Sequence, residues 1–365
     1  MNGSHYLKKK YILITGGAGF IGTNLADRLL ESGERVLIYD NLSRAGAEEN
    51  LKWISSKHGK MVQFIMGDVN DTSSLGPAVK SAAFVFHFAA QVAVTTSLVN
   101  PMLDFDTNAR GTLSLLECLR SLKTPPPIIY TSTNKIYGGL KDVQLVKKNN
   151  RYIPADRKIM TCGIGENRPV DFHSPYGCSK GASDMYVLDY ARTFGLKALV
   201  FRMSCIYGPH QFGTEDQGWV AHFLINSMKG LPITIYGDGM QVRDILYIDD
   251  LVDAFLLASG RTGDLSGQAF NIGGGMKNTV SLLELLDLIE GLTGGRPETR
   301  SESWRTADQR YYVSDISKFG TLTGWEPKIN FREGVKRLHS WLAGARKDKS
   351  GLKKTMLKAA LQEES

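Results

Sequence analysis

Tyr11-Ile12-Leu13-Ile14-Thr15-Gly16-Gly17-Ala18-Gly19-Phe20-Ile21-Gly22 is the stretch on which the reading of this chain turns. The short apolar run at its start predicts a strand, and Phe20 to Glu31 has the pattern of a helix. Between them Gly16, Gly19 and Gly22 recur at every third position. Glycine there permits a tight turn, close approach of the backbone to a pyrophosphate and close packing of helix on strand. The unpaired N–H groups opening the helix would then face an anion. A glycine-rich turn alone is a weak signal. Here strand, glycines and helix come in the required order, and Asp40 closes a second strand, Arg35 to Tyr39, 18 positions after Gly22. That is the spacing of the acid that binds an adenosine ribose. A carboxylate repels a ribose phosphate and predicts NAD rather than NADP, with Arg44 nearby as an opposing charge.

Working outward, apolar strands and helical segments alternate. Val62–Met66 runs into Gly67-Asp68-Val69, and Phe84–Phe88 into Ala89-Ala90. A long periodic segment from Pro101 to Leu122 precedes Ile128–Thr131, and a helix from Tyr176 to Phe194 precedes Ala198–Phe201. The pattern predicts an α/β fold of the Rossmann type, a doubly wound parallel sheet covered on both faces. Such a sheet binds its ligand beyond the carboxyl ends of its strands. Residues 1–206 are assigned to this nucleotide-binding domain, with 139–172 read as a long polar loop. Residues 207–344 are assigned mainly to a smaller mixed α/β cap, with some chain crossing back, and 345–365 to a basic tail.

At 365 residues the chain is long enough for both parts. No run approaches a transmembrane span and the first ten residues lack the apolar stretch of a signal peptide, so a cytoplasmic protein without a membrane partner is expected. Of the net charge of +7, Lys8, Lys9 and Lys10 carry three and residues 345–365 a net of three more. The remainder has no basic stripe, and nucleic acid is not an expected partner. Cys118, Cys162, Cys178 and Cys205 have no metal-site spacing, and no metal is expected.

Tyr176-Gly177-Cys178-Ser179-Lys180 places a phenol and an ammonium four apart on one helical face. A phenol is a poor base at neutral pH, and neighbouring positive charge favours its ionised form. The tyrosine–lysine spacing is common by accident. Its position after the glycine turn, and after Thr131-Ser132-Thr133 at the carboxyl end of a predicted strand, gives it weight. Of these hydroxyls Thr133 reads as functional and Ser132 as a capping residue. His87 reads as packed beside the cofactor, His173 as a loop hydrogen-bonder and Trp219 as a core anchor of the cap.

In combination, Gly16–Gly22, Asp40, Asp68-Val69, Ala89-Ala90, Asn108, Thr133, Tyr176 and Lys180 resemble the extended short-chain dehydrogenase/reductase family of NAD-dependent sugar-nucleotide epimerases and dehydratases. The resemblance spans about residues 11–343. It implies tightly held NAD as cofactor, contacted by Gly16, Gly19, Phe20, Ile21, Asp40, Asn41, Ser43, Asp68, Val69, Ala89, Ala90, Gln91, Asn108, Tyr176 and Lys180. It implies Tyr176 as the base on a sugar hydroxyl, Lys180 as the residue that holds the ribose and lowers the tyrosine pKa, and Thr133 as a hydrogen-bond partner of the reacting oxygen. Thr133, Asn134, Arg243 and Arg305 would bind a nucleoside-diphosphate sugar, the two arginines gripping its diphosphate. A homodimer or homotetramer is also implied.

Dehydratases of the family carry an acid pair directly after the position of Thr133. Asn134 and Lys135 stand there, and neither can serve as that pair near pH 7. Further strings, Asp40–Arg44, Gln91–Ser97, Asp171–Tyr176, Asp216–Trp219 and Asp308–Arg310, resemble the branch that epimerises CDP-linked dideoxyhexoses of the paratose and tyvelose type at carbon 2. The alternatives are a carbon-4 epimerase of a UDP-hexose, a dehydratase, and a non-catalytic nucleotide sensor, which would be expected to lose Tyr176 or Lys180. Cys205 departs from the family, many of whose members have a substrate-contacting asparagine there.

Overall fold

The computed structural model describes residues 10–347. The charged segments at either end, Lys8 and Lys9 and residues 348–365 of the basic tail, lie outside the described residues. Seven parallel strands form the central sheet: β1 Tyr11–Thr15, β2 Val36–Asp40, β3 Val62–Met66, β4 Ala82–His87, β5 Ile128–Thr133, β6 Ala198–Met203 and β7 Ala269–Ile272. Their order is β7-β6-β5-β4-β1-β2-β3. The order reverses between β1 and β4, which opens a crevice at their carboxyl ends.

Successive side chains of a strand point to opposite faces, so a sheet covered on both sides needs apolar residues at nearly every position. In β1, Ile14 packs with Leu25, Leu29, Ile54, Leu251 and Phe255 on one face. Leu13 packs with Leu75, Val79, Leu115, Leu119 and Val187 on the other. The helices supplying those residues include Phe20–Glu31, Ala47–His58 and Ile248–Ser259 on the first face. Thr72–Lys80, Gly111–Arg120 and Ser174–Phe194 cover the second. Chain beyond residue 206 therefore builds the seventh strand and one covering helix.

The remaining strands are shorter. Val242–Tyr247 pairs with Cys205–Tyr207 and Tyr311–Tyr312 in parallel and with Thr279–Ser281 antiparallel. Ile233–Tyr236 pairs with Thr299–Glu302. Together with the helices Trp219–Lys229 and Leu282–Thr293 they form a layer facing the carboxyl ends of the main sheet.

Two segments differ from the expectation. Residues 139–172 contain an antiparallel hairpin, Leu145–Lys148 with Arg151–Pro154, and a helix, Arg157–Cys162. The Tyr152 amide donates to the Met240 carbonyl at 3.0 Å and its hydroxyl to Asp238 at 2.7 Å, which binds the hairpin to the cap. The segment Pro101–Leu122 is not one regular helix. A π-helical turn, Asp106–Arg110, separates Pro101–Phe105 from Gly111–Arg120. No helix among the described residues is long and apolar enough to cross a membrane.

Candidate active site

β1 ends at Thr15 and the chain turns sharply at Gly16, whose φ is +68°. A Cβ on Gly16 would lie 2.6 Å from the Ala89 amide nitrogen, and one on Gly22 would lie 2.6 Å from the Gly16 carbonyl oxygen. Side chains at either position would fill the cradle and force the opening helix off β1. Gly19 caps that helix, and Phe20 and Ile21 form its first turn. Asp40, at the end of β2, closes the cradle: one carboxylate oxygen accepts from the Ala18 N–H at 3.0 Å and the other from the Leu42 N–H at 2.8 Å. Burial raises the pKa of Asp40, and the two N–H donors oppose the rise.

Next along the sheet edge, Asn41 accepts from the Ser43 N–H at 3.1 Å and donates to the Asp68 carboxylate at 3.0 Å. Val69 is buried, and a Cβ on Gly111 would lie 2.5 Å from its Cγ2. Ala89, Ala90 and Gln91 follow β4. Gln91 exchanges two bonds with Asn108: its N–H donates to Asn108 Oδ1 at 2.9 Å, and Asn108 Nδ2 donates to its carbonyl at 3.1 Å. Asn108 sits in the π turn, a departure from helical geometry that recurs at functional sites. Its amide also donates to Ser179 Oγ at 3.0 Å, and Ser179 donates to Asp104, which ties this network to the helix Ser174–Phe194. His87 is buried between Thr15, at 2.6 Å, and Thr112, at 3.0 Å. Burial, reinforced by the charge of Lys180, pushes its pKa down to about 3, so it is neutral.

Tyr176 and Lys180 lie in the first turns of Ser174–Phe194, and both are buried. Burial pushes the Tyr176 phenol up to about 12; the Thr133 hydroxyl opposes the rise, the Asp104 charge adds to it and the Arg44 charge opposes it. Burial likewise pushes Lys180 down to about 7 against the pull of Asp184 and Asp104. The Lys180 Nζ donates to the Thr131 carbonyl at 2.7 Å, which leaves two of its three N–H groups.

A cleft of about 640 Å³ opens between the sheet edge and the cap. It brings Phe20, Ile21, Thr133, Asn134, Tyr176, Arg243 and Arg305 onto one surface. Gly16, Asp40, Asn41, Ser43, Asp68, Val69, Ala89 and Ala90 lie apart from it, along the carboxyl edge of β1 to β4, and Lys180 lies beneath Thr131. The Thr133 hydroxyl accepts from the Lys135 N–H at 3.2 Å and approaches Asn134 Oδ1 at 3.3 Å. Asn134 donates to Gln309 at 3.1 Å. Arg243 Nη2 lies 2.7 Å from Asp308 Oδ1. Arg305 lies 3.3 Å from Glu215 and 3.5 Å from Asp216, stacked 3.9 Å from the centre of the Tyr236 ring.

Several lining residues lie outside the set that the sequence pattern predicts. Trp219 does pack on the core, with Phe223 at 5.7 Å, but it also lines the cleft, and its buried Nε1 has no oxygen or nitrogen partner. Lys135, in sequence an unsuitable acid and nothing more, reaches Asp308 at 3.3 Å. Asp308 opens the string Asp308–Arg310 that carries the resemblance, and its ion pairs with Lys135 and Arg243 emerge only in the fold.

The cradle and the edge from Asp40 to Asn108 fit a dinucleotide: Gly16 and Gly22 leave room that any side chain would occupy, and Asp40 offers carboxylate lone pairs beside it. The chain is 42% identical over 337 residues to the CDP-paratose 2-epimerase of Salmonella typhi, a match covering 90% of this chain and 98% of that protein. It is 32% identical over 333 residues to a putative UDP-glucose 4-epimerase of Methanocaldococcus jannaschii, covering 91% and 98%. The solved UDP-glucuronic acid 4-epimerase of Bacillus cereus, in complex with UDP-glucuronic acid and NAD, superposes with a TM-score of 0.78 at 27% identity, over 92% of this chain and 99% of that one. With the NAD dependent epimerase/dehydratase model matching residues 12–273, this chain belongs to that family.

Proposed function

We propose that this enzyme inverts one carbinol centre of a nucleoside-diphosphate sugar, at carbon 2 of a CDP-linked dideoxyhexose of the paratose and tyvelose type. The relative that shares 42% of its residues over nearly its whole length is a carbon-2 epimerase. NAD is the cofactor, and when bound it supplies a reversible hydride acceptor. The glycine cradle with Phe20 and Ile21 would hold its pyrophosphate. Asp40, Asn41, Ser43, Asp68 and Val69 would line its adenosine end, and Ala89, Ala90, Gln91, Asn108 and Lys180 the path toward Tyr176.

The chain's own contribution is proton transfer and orientation. In its ionised form Tyr176 takes the proton of the sugar hydroxyl as the carbinol becomes a ketone, and returns it after the ring has presented its other face. The Thr133 hydroxyl supports the ionised phenol. Lys180 exchanges a proton near neutral pH, because burial has brought its pKa to about 7. Arg243 and Arg305 offer guanidinium groups to the diphosphate.

The observation that carries epimerisation rather than dehydration is the chemistry after Thr133. Expelling a hydroxyl as water requires a general acid. Asn134 is a carboxamide bound to Gln309, and Lys135 is an ammonium bound to Asp308. Burial pushes the Asp308 carboxyl up, but Lys135 and Arg243 outweigh it and hold it at about 2, so it carries no proton at neutral pH.

The test is turnover of a panel of CDP-, UDP- and GDP-sugars, scored by product mass and NMR. A product of unchanged mass inverted at carbon 2 of a CDP-sugar is expected, with no deuterium at the inverted carbon in heavy water. Loss of water would overturn the reading, and inversion of a UDP-hexose at carbon 4 would replace it with that of the 32%-identical relative.

A further inference from the structure

Lys135 and Asp308 meet in the cleft from positions 173 apart in sequence. Lys135 lies two residues after Thr133 in the 3₁₀ turn Asn134–Tyr137. Its Nζ is 3.3 Å from Asp308 Oδ1, and the same oxygen is 2.7 Å from Arg243 Nη2. One carboxylate thus faces two cations at this part of the cleft, whereas Arg305 is met by Glu215 and Asp216. Lys135 retains 22% side-chain exposure there, whereas Arg243 retains 8%. An ammonium has three donors, and among the described residues this one meets the side chain of Asp308.

We infer that Lys135 binds the sugar-proximal phosphate of the substrate and thereby determines that carbon 2 faces Tyr176. This rests on the carbon-2 reading above. Carbon 2 is bonded directly to the anomeric carbon that carries the diphosphate, whereas carbon 4 lies across the ring. A ring presenting carbon 2 to Tyr176 must therefore bring its diphosphate toward Thr133 and Tyr176. Arg243 and Arg305 alone stand on the cap side of the cleft. Lys135, anchored beside Thr133 and reaching to Arg243's own counter-ion, extends the phosphate-binding charge to the reacting end. Asp308 holds both cations in place before the phosphate arrives.

The test uses the NAD-loaded enzyme and the variants Lys135→Met and Lys135→Arg, titrated calorimetrically with CDP, CMP, UDP and UMP. Lys135→Met should weaken the diphosphate of the preferred base by about 10-fold or more while leaving the monophosphate unchanged, as expected for one charge-assisted hydrogen bond. Its kcat on the CDP-sugar should fall by about 10²-fold, the effect of a small misplacement of the reacting carbon, with Lys135→Arg recovering most of the loss. Should Lys135→Met fail to fold, Lys135→Gln removes the charge and keeps a polar tip, with the same expectation. A charge-free variant that kept both the diphosphate preference and wild-type turnover would overturn the inference. A wild-type enzyme inactive on every CDP-sugar would instead overturn the functional reading, while the diphosphate-to-monophosphate ratio would still decide whether Lys135 contacts phosphate.

Discussion

The ammonium of Lys180 donates to the main-chain oxygen of Thr131, 2.7 Å away, and both residues are buried. This holds a lysine inside the protein, where burial pushes its pKa down to about 7. Between about pH 7 and the ordinary lysine value near 10.4 the unfolded chain binds a proton that the folded chain does not. Stability contributed through this group therefore rises with pH across that window, with a limiting slope of about 1.4 kcal/mol per pH unit. Lys180→Met lacks the effect, so its stability relative to wild type should be greatest below pH 7 and decline toward pH 10. Urea denaturation of both proteins, freed of cofactor, checks this, and a difference that did not change with pH would refute it.

Tyr176→Phe should retain NAD and nucleotide-sugar binding while turnover falls by about 10²–10⁴-fold, the range for loss of an acid–base group. Cofactor content of the purified variant and calorimetric titration measure the binding half; product formation measures the other. Survival of activity would remove Tyr176 from the reaction.

The Thr133 hydroxyl beside Tyr176 lowers a phenol pKa that burial has raised. Thr133→Val removes it, so the phenol should become still harder to ionise. The acid limb of the kcat/KM profile should move to higher pH, and activity at neutral pH should fall more than activity in alkali. A uniform loss at every pH would mean that Thr133 only shapes the cleft.

Asp40→Ala deletes the acceptor of the Ala18 and Leu42 N–H groups and the carboxylate that disfavours a ribose phosphate. NAD affinity should fall by about 10-fold or more, and NADP should gain relative to NAD, with Arg44 close by to meet its phosphate. Fluorescence titration with both dinucleotides measures the ratio; an unchanged ratio would separate Asp40 from cofactor choice.

What could be read in advance was local. The helix Phe20–Glu31 has the same limits in the sequence pattern and in the structure, because a glycine turn and an apolar face define it within a dozen residues. The tyrosine–lysine pair is likewise set by one helix. What escaped depends on distant partners or short elements. The hairpin at Leu145–Pro154 has strands of four residues, turned at Asn149 with φ 53°, too short to show a period. β7 is recognisable as a strand chiefly because β6 waits for it, from Val200 to Met203. The π turn of Asn108 keeps an apolar rhythm that resembles an unbroken helix. Lys135 gains its meaning only when the fold brings Asp308 and Arg243 to it.

A last prediction concerns assembly. The helices Val94–Val99 and Pro101–Phe105 pack beside Ser174–Phe194 on the outer face of the sheet. They leave Val99 87%, Met102 68% and Phe105 52% exposed, with Leu98, Leu103, Met185 and Tyr186 nearby in the same elements. Large apolar side chains grouped in this way mark an interaction surface, and a two-fold axis would let the patch cover its own copy. We propose a homodimer through these helices. Met102→Glu with Phe105→Glu places charge where the partner's patch would lie, and sedimentation velocity should show half the wild-type mass at micromolar concentration. Asp104, between the two substitutions, accepts from Gln91 and Ser179 in the network around Asn108, so the monomer should also lose NAD more readily. A wild-type monomer, or a variant of undiminished mass, would rule this surface out as the interface; a monomer that kept its NAD would show that the network stands without the partner.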